Sequence, residues 1–237
     1  MKILFDNKAK GATFSSLNES SAFPSSNLVH PFARYKYKAL TPTDTITATL
    51  PDNVSASCFF YTYSNATSMT LRVYSHTSAL LETVSIDCTH DSGSAFFTRH
   101  DNARSFTLTV ACDAAEDLYI GSIGFGLATD FPYPLSNFEK DLIDLSSKEV
   151  SDGGQVSYHY SKPLTEYSLS FTRVKRDSVF HGIISQFLSV GSGYIWVDIT
   201  ETNHAYYQPM YCTTKLVESP SRDRYLVSFK LTLTEAR

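Results

Sequence analysis

Short alternations of apolar and polar residues, punctuated by turn-forming clusters, run through the first half of the chain. Residues 45–50 read Thr, Ile, Thr, Ala, Thr, Leu, a period of two that sends Ile46, Ala48 and Leu50 to one face. Residues 69–75 repeat the pattern with Met69, Leu71 and Val73. Residues 56–63 are nearly continuously apolar, and rings at Phe59, Phe60, Tyr61 and Tyr63 place aromatics on both faces, as in a central strand. Further strands are predicted at 2–5, 34–40, 80–88, 95–98, 105–111 and 118–126. Turns fall at 51–53 (Pro, Asp, Asn), 64–68 and 90–94. Short strands at this spacing, with no helical period between them, predict a β-sandwich or jelly roll over residues 1–127.

The second part, residues 128–237, opens on a Pro-containing connection. Residues 138–145 fit either a helical turn or a short strand, and strands are predicted at 155–160 and 166–174. The period then changes. Val179, Phe180, Ile183, Ile184, Phe187 and Leu188 share one face of a helix near 178–189, with Asp177 or Ser178 as N-cap and Gly191 as C-terminal stop. Strands at 194–199, 210–217 and 225–234 complete a smaller β unit carrying one amphipathic helix. The expected fold class is therefore mainly β, a sandwich followed by that unit.

Composition agrees. The 237 residues are 42% hydrophobic and 14% aromatic, enough for packed cores, and the charged fraction of 19% is low. The net charge of −4 argues against a broad nucleic-acid footprint. Lysines 36 and 38 alternate with Tyr35 and Tyr37, which fits a half-buried strand better than a base-stacking platform. No apolar run reaches the length of a membrane span, and the N-terminal run is too short for a signal-peptide core, so synthesis in the cytoplasm is expected. Cys58, Cys88, Cys112 and Cys212 form no CxxC pair. Cys58 and Cys112 read as small core residues, with pairing between two of the four left as the alternative.

Catalytic signatures are absent: no GxSxG, HExxH, Walker loop or EF-hand loop occurs. The run GSIGFG at 121–126 lies within an apolar strand and opens no helix, so close backbone packing is its reading. His90, Asp91, His100 and Asp101 share a region but read as exposed turns, and Asp113, Glu116 and Asp117 read as a solvated acidic turn. No catalytic residue, metal ligand or cofactor is assigned. Tyr206, Tyr207 and Tyr211 cluster in a loop ahead of a strand. They are candidates for stacking on a sugar, or else for packing within the protein's own core.

Several stretches together carry a resemblance: KILFD at 2–6, AFPSSNL at 22–28, RYKYK at 34–38, TDTITATL at 43–50 and LYIGSIGFG at 118–126. These resemble the N-terminal galactose-binding-like (discoidin-like) jelly roll of tailed-phage and prophage virion proteins. The strand around Phe171 and Arg173, the helix, YIWVD at 194–198 and LTLTEAR at 231–237 are similar to the C-terminal unit of the same proteins. The basic-aromatic strand of that family usually carries Trp, where this chain has Tyr35 and Tyr37. No loop motif of the sugar-binding relatives matches, so no binding residue is carried over. The resemblance implies a non-enzymatic component of a phage tail tip or baseplate. Such a component would be a homo-oligomer assembling with other tail proteins in the virion, without nucleic acid or membrane insertion as partner. The alternative is a carbohydrate-binding module that attaches to a surface glycan.

Overall fold

The computed structural model describes residues 1–30, 35–133, 135–144, 146–150, 156–159, 163–191, 193–199, 210–219 and 225–236, with backbone alone for 147–150 and 156–159. The fold is mainly β. In chain order the strands are β1 (Lys2–Leu4), β2 (Thr13–Ser15), β3 (Tyr37–Lys38), β4 (Thr43–Thr62), β5 (Ser68–Ser75), β6 (Leu80–Ile86), β7 (Gly93–Ala111), β8 (Tyr119–Ile120), β9 (Ser122–Gly126) and β10 (Thr129–Asp130). Then follow β11 (Asn137–Ile143), β12 (Ser147–Val150), β13 (Val156–His159), β14 (Leu164–Lys175), helix α1 (Ser178–Val190), β15 (Ile195–Asp198), β16 (Met210–Ser219) and β17 (Leu226–Glu235). The chain divides into two compact units, Met1–Phe131 with Tyr194–Tyr211, and Pro132–Gly193 with Cys212–Arg237. The segment 194–211 joins the first unit because β15 pairs antiparallel with β1, Ile3 opposite Val197.

In the first unit one sheet runs in the order β2-β4-β7-β5-β6, with β9 also on β4. Ile46, Ala48, Leu50, Phe59, Tyr61, Leu71, Val73, Phe106, Leu108 and Phe125 fill one buried core. The stacked rings of Phe106 and Phe125, 4.5 Å apart, lie at its heart. The opposite face of β4 is buried too. Phe60 sits 5.6 Å from the indole of Trp196 and 5.8 Å from Phe96. The continuous apolar run at 56–63 is thus a strand covered on both sides.

The turn expected at 51–53 is instead part of one long strand. β4 stays paired with β7 across it, and the register shifts between Thr49 and Val54 and again before Cys58. Pro51, Asp52 and Asn53 are exposed there. A bulge absorbs residues that cannot join the ladder without ending the strand. The two short strands expected at 95–98 and 105–111 likewise merge into β7.

The glycine run lies at a close approach. A Cβ on Gly124 would stand 2.7 Å from Trp196 Nε1, so only glycine lets β9 pass beneath the indole. Asn7 clamps the same strand from the N-terminal segment. Its Nδ2 donates to the Ile123 carbonyl at 3.0 Å, and its Oδ1 accepts from the Phe125 amide at 3.0 Å.

In the second unit β11, β14, β17 and β16 pair antiparallel in that order, and β12 and β13 form a hairpin. Of the stretch at 138–145, Phe138 to Ile143 lie in strand β11. Helix α1 has the expected caps: the Asp177 carboxylate accepts from the Phe180 amide at 3.0 Å, and Gly191 takes φ +58°. Its buried stripe is narrower than the sequence stripe. Phe180, Ile183 and Phe187 are buried, whereas Val179 and Leu188 stand exposed. Phe180 packs 5.8 Å from Phe229, which stacks on Phe171 at 4.8 Å.

Candidate binding face

Three of the stretches that carry the resemblance, around Phe23–Leu28, Tyr37–Lys38 and Tyr119–Ile120, meet in the first unit. β3 and β8 form a two-stranded antiparallel ribbon, Tyr37 opposite Ile120 and Lys38 opposite Tyr119. Alternation divides its faces. Tyr37 and Ile120 are fully buried, so Lys36, Lys38 and Tyr119 turn the other way.

Asp44 anchors the inner face. This buried carboxylate accepts hydrogen bonds from the Tyr37 hydroxyl, the Ser16 hydroxyl, Asn18 Nδ2 at 3.3 Å and the Thr45 amide at 2.7 Å. A buried carboxylate is tolerable only when its lone pairs are filled this way. Burial pushes the Tyr37 hydroxyl well above its ordinary value, and the Asp44 bond adds to the shift, so the phenol remains the donor.

The AFPSSNL stretch forms the adjoining edge. Pro24 precedes a 3₁₀ turn over Ser25–Val29, whose first amide donates to Glu19 Oε2 at 2.8 Å. Asn27 Nδ2 donates to the Lys36 carbonyl at 3.3 Å, and the Lys38 amide donates to the Phe23 carbonyl at 3.1 Å. Leu28 is fully buried beneath the turn. On the far side Asn65 sets β8. Its Nδ2 donates to Glu116 Oε2 at 3.0 Å and to the Asp117 carbonyl at 2.9 Å, and its Oδ1 accepts from the Tyr119 amide at 2.9 Å.

The resulting outer face is basic and aromatic. Lys36 Nζ lies 3.9 Å from the centroid of the Tyr119 ring, and Lys38 Nζ lies 4.9 Å from that of Phe23. Both contacts are cation–π interactions. Tyr35, 40% exposed, lies 4.0 Å from the His30 ring. The Lys36 ammonium is pushed below its ordinary value, first by partial burial and then by Lys38 beside it. Neither lysine has a carboxylate partner among the described residues.

The other sequence candidates are placed differently. Tyr211 is buried, stacked 4.6 Å from Trp196 and 5.4 Å from Tyr194, so it is core rather than an exposed platform. Its neighbours in β16, Met210 and Cys212, are buried with it. Tyr206 and Tyr207 lie outside the described residues. His90 and Asp91 lend only backbone carbonyls, to the Tyr61 hydroxyl and the Ser64 amide. His100 meets Glu82 at 3.2 Å, while Asp101 accepts from Ser55 at 2.6 Å and Arg99 at 2.7 Å, so the four residues do not form one cluster. The Ser55 and Arg99 bonds hold the Asp101 carboxyl below its ordinary value. No group of three or more metal-ligating side chains converges among the described residues. The four cysteines are free. Sequence reading treated Lys36, Lys38 and Tyr119 as ordinary strand residues. The signal available was the alternation of RYKYK, and it lacked the pairing with β8.

No family model matches the chain, and no curated protein matches it. Among solved structures, it is similar to chitosan-binding module 1 of a chitosanase/glucanase from Paenibacillus sp. IK-5. That match has a TM-score of 0.44 and 12% identity, covering 51% of this chain and 98% of that one. It is also similar to a Streptococcus pneumoniae fucose binding module, with a TM-score of 0.44 and 10% identity over 51% of this chain and 94% of that one. A third is the Clostridium perfringens module CpGH89CBM32-4, with a TM-score of 0.43 and 14% identity over 52% of this chain and 99% of that one.

Proposed function

We propose that the chain is a non-catalytic binding module that takes a glycan on the outer face of the β3–β8 ribbon. The observation that carries this reading is the cluster of Lys36, Lys38, Tyr119 and Phe23 on one face, built on a fully bonded inner layer. Aromatic rings offer flat apolar surface to the C–H face of a sugar, and ammonium groups donate to its hydroxyls. The inner layer keeps the ribbon rigid, which lowers the ordering penalty on binding. A glycan array probed with the full chain tests the reading. Binding that is lost in Phe23→Ala and Tyr119→Ala variants supports it, and an array without signal contradicts it.

Placement in a phage tail tip or baseplate is a second reading, and the sequence resemblance is its main support. The exposed leucines 17 and 40 are compatible with an assembly contact. They are 99% and 71% exposed, and the Leu40 amide donates to the Asn18 carbonyl at 2.7 Å, beside Leu17. Mass spectrometry of purified particles tests it: absence of the chain from the virion rejects the placement. The two readings are compatible, since a tail protein can present a sugar-binding face.

A further inference from the structure

We propose that the ligand of this face is an acidic saccharide, one whose carboxylate sits between the ammonium groups of Lys36 and Lys38. The inference rests on the glycan-binding reading and narrows it to a substrate class.

Lys38 lies in β3 and Lys36 immediately precedes the strand; the fully buried Tyr37 stands between them, while both lysines are half-buried. Each is held over a different ring, Tyr119 for Lys36 and Phe23 for Lys38. The rings fix the stems, which reduces the rotamer entropy a lysine ordinarily loses when it grips a ligand. Two ammonium groups brought together without a carboxylate repel each other. An anion bridging them relieves that repulsion and accepts from both.

Nearby acids do not serve this role. Glu19 is bonded to the Ser25 amide, and Glu116 is bonded to Asn65. Some cations of the first unit do have acid partners, Lys8 with Asp6 at 2.5 Å and Arg99 with Asp101 at 2.7 Å. The net charge of −4 opposes general adhesion to polyanions. Attraction is therefore local to this face.

Titration calorimetry of the full chain against matched pairs of oligosaccharides tests the proposal. The pairs are galacturonate and galactose tetramers, glucuronate-containing and neutral glucose oligomers, and sialylated and desialylated lactose. Inorganic phosphate and a dT10 oligonucleotide are run in parallel. At least one acidic member is expected to bind about tenfold or more tighter than its neutral partner, with affinity falling as salt rises. Lys36→Met and Lys38→Met are expected to abolish the difference, while Lys10→Met, the same charge change at an exposed site, leaves it intact. The methionines keep the stem over the ring, and unchanged circular dichroism confirms folding.

Equal binding of neutral and acidic partners would overturn the proposal while leaving the glycan reading standing. No binding of any saccharide would overturn both. Binding of phosphate or dT10 through the same lysines, with the saccharides silent, would overturn the saccharide assignment.

Discussion

Replacing Asp44 with alanine removes the acceptor on which the inner face of the ribbon is built. Four donors lose their partner: the Tyr37 hydroxyl, the Ser16 hydroxyl, Asn18 Nδ2 and the Thr45 amide. A hydrogen bond to a charged group contributes about 1.5–3 kcal/mol, and a buried donor left unsatisfied costs about 1–3 kcal/mol. Ser16 and Asn18 are half-buried and recover water, whereas Tyr37 is fully buried and keeps only the Ser16 hydroxyl, at 3.2 Å. The expected loss is about 3–5 kcal/mol, a large share of the roughly 5–15 kcal/mol that holds a typical domain folded. Tyr37→Phe removes one donor and leaves the carboxylate three others, so its expected cost is about 1–2 kcal/mol. The double variant should fall short of the sum, because both changes delete the same bond. Urea unfolding followed by tryptophan fluorescence reads these differences in the first unit, since the chain's one tryptophan, Trp196, is fully buried there. A cost below about 1 kcal/mol for Asp44→Ala, or equal costs for the two single variants, would refute the reasoning.

Three further outcomes follow from the packing. Gly124→Ala forces a methyl to within 2.9 Å of several indole atoms of Trp196. It is expected to destabilise the first unit by about 1–3 kcal/mol and to shift the tryptophan emission, and a silent substitution would contradict the close approach. Asp177→Ala removes the N-cap of α1 and is expected to cost about 1 kcal/mol in thermal unfolding, with Asp177→Asn retaining most of the stability. Stability is also expected to fall in alkali. Burial raises Cys58 and Cys212 above their ordinary 9.0 and Tyr37 and Tyr61 above their ordinary 10.0. The unfolded chain releases these protons first and so binds fewer of them. Stability is therefore complete below about pH 9 and declines as pH climbs past those values. Urea midpoints that hold constant or rise between pH 8.5 and 11 would contradict this.

Much of the fold was legible in local pattern. The alternation at 45–50, the two-faced aromatic run at 56–63 and the capped helix after Asp177 each follow from periodicity and short-range chemistry, and the structure repeats them. What local pattern missed is long-range. Pro51, Asp52 and Asn53 read as a turn because turn chemistry is local, whereas the ladder to β7 that carries β4 through them is tertiary. The place of 194–199 beside the N-terminal strand depends on pairing between residues nearly two hundred positions apart. The candidate binding face has the same origin. Tyr211 belongs to an aromatic cluster in the sequence, but the fold stacks it on Trp196. Lys36 and Lys38 gain meaning only once β8 brings Tyr119 and the 3₁₀ turn brings Phe23.

The most direct measurement of the central claim is a chemical-shift map of the isotope-labelled chain titrated with the best glycan from the array. The account expects saturable shifts concentrated on Phe23, Lys36, Lys38 and Tyr119, with the buried Trp196 indole unmoved. Saturable shifts centred elsewhere, with these four residues unchanged, would contradict it.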